Sequence, residues 1–440
     1  MTDALLIRGG RLIDPVRGTD IIDDLLIVDA RIAPFDRSLS PREYDVINAE
    51  NMVVSPGFID LHCHLREPGF EKKETISTGA LAAARGGFTT VCCMPNTSPP
   101  LDTPAAVARV KTAAADSVVR VLPIGCVSRG QQGRELADLR GLVAAGVVAF
   151  SDDGRPVPDS GLMRRALERA RILGLPVIDH CEDLALSEGG FMNEGEVSRR
   201  LGISGMPAEA EEIIVSRDLA LARLTGAHVH IAHASTAGSV ELIAWAKSKG
   251  VRVTAEATPH HLTLTENAVL GMKTAAKVSP PLRTRDDVSA LVRGLKEGVI
   301  DCVATDHAPH TREDKACAFE YAAFGISGLE TALGSLLGLV HNGQMTLPDL
   351  LARLVAAPAG ILGLKPGTLQ PGAPADIAIF DPDKEWTVDP ASFASKGKNT
   401  PLAGVKLRGK VMGTVCRGRL VFRDEALPIE TGDRLREELV

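Results

Sequence analysis

From about residue 55 of this 440-residue chain, short apolar runs alternate with longer stretches of helical periodicity. Eight runs of the first kind stand out: Phe58 to His62, Phe88 to Cys93, Val119 to Cys126, Val147 to Ser151, Leu175 to His180, Ala227 to His233, Val251 to Ala257 and Ile300 to Asp306. Between them, helical spacing predicts helices over Thr103 to Ala115, Ser160 to Leu173, Ala208 to Leu224 and Thr236 to Ser248. Connections of that length force neighbouring strands to run parallel, so the repeated alternation predicts an α/β fold, a (β/α)8 barrel.

The flanks read differently. Ala4 to Ile13, Asp24 to Pro34, Asp376 to Asp381, Val405 to Leu407 and Lys410 to Phe422 are alternating runs separated by Gly, Pro and Asp. They predict an antiparallel sheet or sandwich in which both chain ends combine into one small β-domain. The expected organisation is a barrel over 55–365 with the β-domain shared between 1–54 and 366–440.

Composition narrows the function. Hydrophobic residues at 45% and charged residues at 24% support a sizeable core, which aliphatic side chains must fill because aromatics make up only 3%. A formal net charge of -7, with no basic run interleaved with aromatics, argues against nucleic acid and favours a small-molecule substrate. No basic region precedes an apolar stretch at the N-terminus, and no segment approaches the roughly 20 apolar residues of a membrane span, so a cytoplasmic protein is expected. The 8 Cys show no paired spacing and are expected to be reduced.

Candidate chemistry lies where strands end, because a barrel of this kind places its reacting groups at the C-terminal mouth. The first run ends in Asp60-Leu61-His62-Cys63-His64, the second in Met94-Pro95-Asn96 and the fourth in Ser151-Asp152-Asp153-Gly154. The fifth ends in Asp179-His180, the sixth in His233, the eighth in Asp306-His307-Ala308-Pro309-His310. Side chains two apart on a strand point the same way, so His62 and His64 can face one cation. A lone His-x-His is a weak signal, but His180, His233 and Asp306 join it at other strand ends. Together they form a nitrogen and oxygen set suited to zinc or a related divalent ion.

Parity along the sixth run, AHVHIAH, places His233 on the face of Val229 and Ile231 and turns His228 and His230 toward the helix layer. His260 and His261, beyond the seventh run, suit a supporting or structural role better than ligation, and His341 sits in a helix end without chemical company. Asp306 could cap the following helix, but within this cluster it reads as a ligand and general base.

With these residues in place the chain resembles the class I bacterial dihydroorotases of the amidohydrolase superfamily, TIM-barrel enzymes of pyrimidine biosynthesis. The likeness spans nearly the whole chain. It runs through PGFIDLHCHLREPG at 56–69, MPNT at 94–97, FSDDG at 150–154, DHCED at 179–183, HIAHAST at 230–236, EATPHHL at 256–262, SPPLR at 279–283, ATDHAPH at 304–310 and FGISGLE at 324–330. The resemblance implies that His62 and His64 bind one metal and His180 and His233 a second. Many amidohydrolases bridge the two with a carbamylated lysine; here the matching stretch has none, and the class I pattern implies Asp153, with Asp152 as the rival.

The same resemblance implies a substrate cradle of His64, Arg66, Asn96, Ser279, His310, Phe324 and Gly325. Arg66 suits a carboxylate, which a guanidinium holds with two parallel hydrogen bonds. Ser279 departs from the family, where many members have Asn, and a hydroxyl offers fewer donors than an amide. The implied reaction is reversible hydrolysis of L-dihydroorotate to N-carbamoyl-L-aspartate by metal-bound hydroxide, with Asp306 moving the proton and one or two zinc ions per subunit. Hydantoinases, allantoinases and inactive dihydroorotase-like scaffolds of aspartate carbamoyltransferase are the rivals. Filled ligand positions speak against the last. A homodimer and a complex with that transferase are expected partners.

Overall fold

The structure is a computed structural model and describes residues 4–35 and 44–430. Seven barrel strands are regular: Phe58–Cys63, Phe88–Cys93, Arg120–Pro123, Val177–Asp179, Val229–Ile231, Val253–Ala257 and Cys302–Val303. Every pairing among them is parallel. The fourth predicted strand, Val147 to Ser151, is reduced to single bridges from Phe150 to Gly125 and Val177. Its flanks explain this: Pro123 and Pro176 have no N–H to give, and both serve the fourth segment only as acceptors, toward Val148 and Phe150. A bridge between Cys63 and His307 closes the barrel, with His64 N–H donating to the His307 carbonyl at 2.8 Å.

The helices follow the predicted periodicity closely. Ser160–Leu173 begins on Asp159, whose carboxylate accepts from Leu162 N–H, and Ala237–Ser248 begins on Thr236, whose hydroxyl accepts from Ser239 N–H. Pro104–Ala113 has Pro in its first turn after a Thr103 cap, and Glu209–Thr225 is offset by one residue from its predicted span. No helix among the described residues is long and apolar enough to cross a membrane. All eight cysteines are free, and only Cys317 is exposed.

Two apolar layers fix the barrel. Ile59, Leu61, Cys92, Ile124, Ile178 and Cys302 fill the axis above a floor of Ile361 and Leu362, while Val229 and Ile231 pack outward against Leu219 and Ile243 of the helices. Each large side chain so buried contributes about 1.5–3 kcal/mol. This layering corrects the parity reading of the sixth strand: the face of Val229 and Ile231 is the helix face, and His230 points inward with Ala232. His233 reaches the mouth by another route. The strand ends at Ile231, and His233 adopts a left-handed backbone, φ 30°, that turns its ring into the site.

Strands from both chain ends share one nine-stranded sheet. It is mixed rather than antiparallel: Ala4–Asp14 pairs antiparallel with Thr19–Val28 but parallel with Asp45–Asn48 and Val53–Pro56. Arg31–Ala33 pairs antiparallel with Thr19–Val28 at the outer edge of this sheet, and so runs in the direction of Ala4–Asp14. Val53–Pro56 leads into the first barrel strand through Gly57, where a Cβ would lie 2.2 Å from the Thr89 side chain.

Candidate metal centre

The first barrel strand is anchored before it delivers its histidines. The Asp60 carboxylate accepts from Thr305 N–H at 2.9 Å, Thr305 Oγ1 at 2.5 Å and His62 N–H at 3.3 Å, tying the first strand to the eighth. Pairing with the second strand shifts between Asp60 and Cys63, just where His62 must turn into the mouth.

His62 and His64 converge on two carboxylates. His62 Nε2 lies 3.3 Å from Asp153 Oδ1 and 3.6 Å from Asp306 Oδ1; His64 Nε2 lies 3.5 Å from Asp153 Oδ2 and 3.0 Å from Asp306 Oδ1. On the far side, His180 Nδ1 and His233 Nε2 stand 3.7 and 3.6 Å from Asp153 Oδ1 and 2.9 Å from each other. Asp153 thus belongs to two buried triads, His62–His64–Asp153 and Asp153–His180–His233, with ligating atoms within 4.8 Å of one another in each. Asp152 is excluded from both. Its carboxylate accepts from Val127 N–H at 2.9 Å and Ser128 N–H at 3.1 Å, and from the Ser128 hydroxyl.

Three of the four imidazoles are oriented by an acceptor behind them, whereas His233 Nδ1 is buried without a partner. His62 Nδ1 donates to Glu256 at 2.7 Å, His64 Nδ1 to the Asn96 amide oxygen at 2.9 Å, and His180 Nε2 to Glu182 at 2.7 Å. Donation from one ring nitrogen leaves the other's lone pair for the site. Glu256 also binds His230 Nε2 at 3.1 Å and His233 N–H at 3.2 Å, so one buried carboxylate serves three histidines. Glu256 and Glu182 have no local sequence signal beyond an acid set in a short apolar strand and an acid beside a histidine. The rings that Glu256 meets come from other strands, whereas Glu182 meets His180 two residues before it.

Electrostatics favour a cation here. Burial pushes the Asp153 carboxyl up, but His62, His180 and His233 outweigh it and hold it well below the usual carboxylate range. Burial pulls His62 down, yet Asp153 and Glu256 hold it well above its ordinary value, and Asp153 and Glu182 likewise raise His180 to about 10. A field that stabilises a proton on these rings stabilises a metal cation in its place. His62 Nε2 and Asp153 Oδ1 are buried without a hydrogen-bond partner, and so fit a bound divalent ion as its donors.

Of the remaining predicted residues, Arg66 and His310 stand together at the mouth. Arg66 adopts φ 61°, donates through Nε to the Pro309 carbonyl at 3.3 Å and has no carboxylate within ion-pair distance among the described residues. His310 Nε2 donates to the Phe324 carbonyl at 2.8 Å. Phe324 therefore offers its backbone, since its ring lies 4.4 Å from the Lys277 ammonium. Gly325, at φ 143°, accommodates a close approach: a Cβ would lie 2.7 Å from the Ala308 carbonyl oxygen. Asn96 is spent on the centre, donating to Asp153 Oδ2 at 3.3 Å while it accepts from His64. Ser279 borders a small crevice with His180, Glu182 and Arg283.

The other histidines lie outside the two triads. His261 bonds Thr258 and the Pro280 carbonyl, His228 bonds Thr254, and His341 ends helix Ala332–His341 against the Pro382 carbonyl. His260 is buried with Nε2 unpartnered. Arg66, His233 and Asp306 all hold positive φ, and such strain persists where the surrounding structure enforces it.

Comparison with known proteins agrees with this geometry. A family model described as dihydro-orotase-like matches residues 51–239. A dihydroorotase of Pelotomaculum thermopropionicum is 53% identical over 96% of this chain and 99% of its own, and one of Syntrophus aciditrophicus is 50% identical over 96% and 100%. Among solved structures, an L-hydantoinase (dihydropyrimidinase) of Arthrobacter aurescens aligns with a TM-score of 0.86 at 27% identity over 98% of both chains. A D-hydantoinase of Thermus sp. aligns with 0.83 at 26% over 97% of both.

Proposed function

The chain belongs to the dihydroorotase family, and from that premise we propose that it interconverts L-dihydroorotate and N-carbamoyl-L-aspartate, a step of pyrimidine biosynthesis. One juxtaposition carries the reading: the carboxylate-linked imidazole cluster shares its mouth with Arg66, a guanidinium without an anionic partner among the described residues. The cluster suits cleavage of a cyclic amide. Arg66 suits a ring that also bears a carboxylate, which hydantoin and allantoin lack.

His62 and His64 would hold one divalent ion and His180 and His233 another, with Asp153 common to both and Asp306 on the His64 side; the nitrogen-rich set fits zinc. When bound, the ion supplies Lewis acidity toward the ring amide and toward water. Asp306 takes a proton from the attacking water at Oδ1 and returns it to the ring nitrogen as the C–N bond breaks. Burial works against its charge, but the surrounding imidazoles of His64, His62 and His233 hold its carboxyl below the usual range, so it begins the cycle as a base. Arg66, supported by His310 and the Phe324–Gly325 backbone, holds the substrate carboxylate and sets the ring over Asp306.

Asp306→Asn is expected to lower kcat on dihydroorotate by about a thousandfold while metal content by elemental analysis stays near that of the parent protein. Turnover within tenfold of the parent would rule out this role for Asp306. Parallel assays on hydantoin and allantoin test the carboxylate requirement, and a preference for either ring would replace this reading with that of a hydantoinase-type amidase.

A further inference from the structure

Lys73 lies in the loop after the first barrel strand, and its Nζ reaches His310 Nδ1 at 3.2 Å and Asp314 Oδ2 at 3.3 Å. An ammonium can only donate, so Nδ1 must accept and the imidazole proton must sit on Nε2, where it meets the Phe324 carbonyl at 2.8 Å. Arg66 Nη2 stands 3.4 Å from that same Nε2. A single buried imidazole thus carries one cation at each nitrogen. Burial, followed by the charges of Arg66, Lys73 and Lys315, pushes it down to about 3, so the ring is neutral and does not cancel the demand of the Arg66 guanidinium for an anion.

We propose that Lys73 is a positioning and specificity residue for the anionic end of the substrate. It fixes the tautomer of His310 and adds a second cation beside Arg66, selecting rings that carry a carboxylate. The inference rests on the dihydroorotate reading. Asp314 holds the ammonium from outside, and the chain Asp314, Lys73, His310, Phe324 ties the loop after the first strand to the loop after the eighth. With Lys73 gone, Nδ1 loses its donor and the ring is free to take the other tautomer.

The test compares the metal-loaded parent, Lys73→Met and Lys73→Arg. Lys73→Met is expected to raise KM for dihydroorotate about tenfold or more, with kcat changed less than about threefold and Lys73→Arg recovering most of the loss. Nitrogen NMR of the His310 ring should show the proton on Nε2 in the parent and lose that preference in Lys73→Met. Should Lys73→Met fold poorly, Lys73→Gln gives the same comparison with a shorter uncharged side chain. A KM within twofold of the parent, or a parent ring protonated at Nδ1, would overturn the proposal. A parent inactive on dihydroorotate would instead overturn the functional reading, which separates the two failures.

Discussion

The barrel mouth has two halves whose imidazoles are backed in opposite ways. On the centre side, His62, His64 and His180 each donate to an acceptor: Glu256, Asn96 and Glu182. On the cradle side, His310 accepts from the Lys73 ammonium. Backing by acceptors makes a ring electron-rich and turns it toward a cation, whereas backing by a cation leaves it neutral beside positive charge and turns that end of the mouth toward an anion. On the proposed reading, metal and substrate carboxylate would be sorted by the partners behind the rings, since the residue type in front is the same.

The comparison breaks most severely at Asp153. Asp153→Asn is expected to lower metal affinity about a hundredfold or more and to remove turnover with it. Asp152→Asn serves as its control: metal content should hold while stability falls by about 1–3 kcal/mol, because the three donors of residues 127 and 128 lose their carboxylate. Elemental analysis and thermal melts separate the two, and equal metal loss in both would mean that neighbouring acids share the site.

Next comes the acceptor behind His62. Glu256→Gln should weaken metal binding about 10- to 100-fold, measured by competition with a chromogenic chelator, while activity returns at saturating metal. Unchanged affinity would show that the backing is incidental. The mildest change lies on the cradle side, where Gly325→Ala forces a Cβ toward the Ala308 carbonyl at 2.7 Å. A loss of about 1–3 kcal/mol in stability and a higher KM should follow, with metal content untouched. Metal loss here would show that the halves are not separable.

Much of this was legible in the sequence, and the failures have physical causes. His62, His64, His180 and Asp306 stand at strand ends, where barrel geometry alone makes them neighbours. The choice between Asp152 and Asp153 could not be made from spacing, because what decides it is a set of donors at 127 and 128 that only the folded loop supplies. His233 lies at the mouth for a reason other than parity: parity puts Val229 and Ile231 against the helices, and the left-handed turn at 233 delivers the ring. The fourth strand looked regular because proline's missing donors lie on its neighbours. Glu256, Glu182 and Lys73 escaped notice since a lone charged residue acquires its meaning from the ring it touches, and for Glu256 and Lys73 that ring is distant in sequence.

The most direct test of a metal-dependent dihydroorotase is turnover of dihydroorotate by protein purified without chelator, repeated after chelation and again after zinc is restored, with metal measured each time. Activity that tracks metal content through all three states is the expected result, whereas undiminished turnover by metal-free protein would contradict the account.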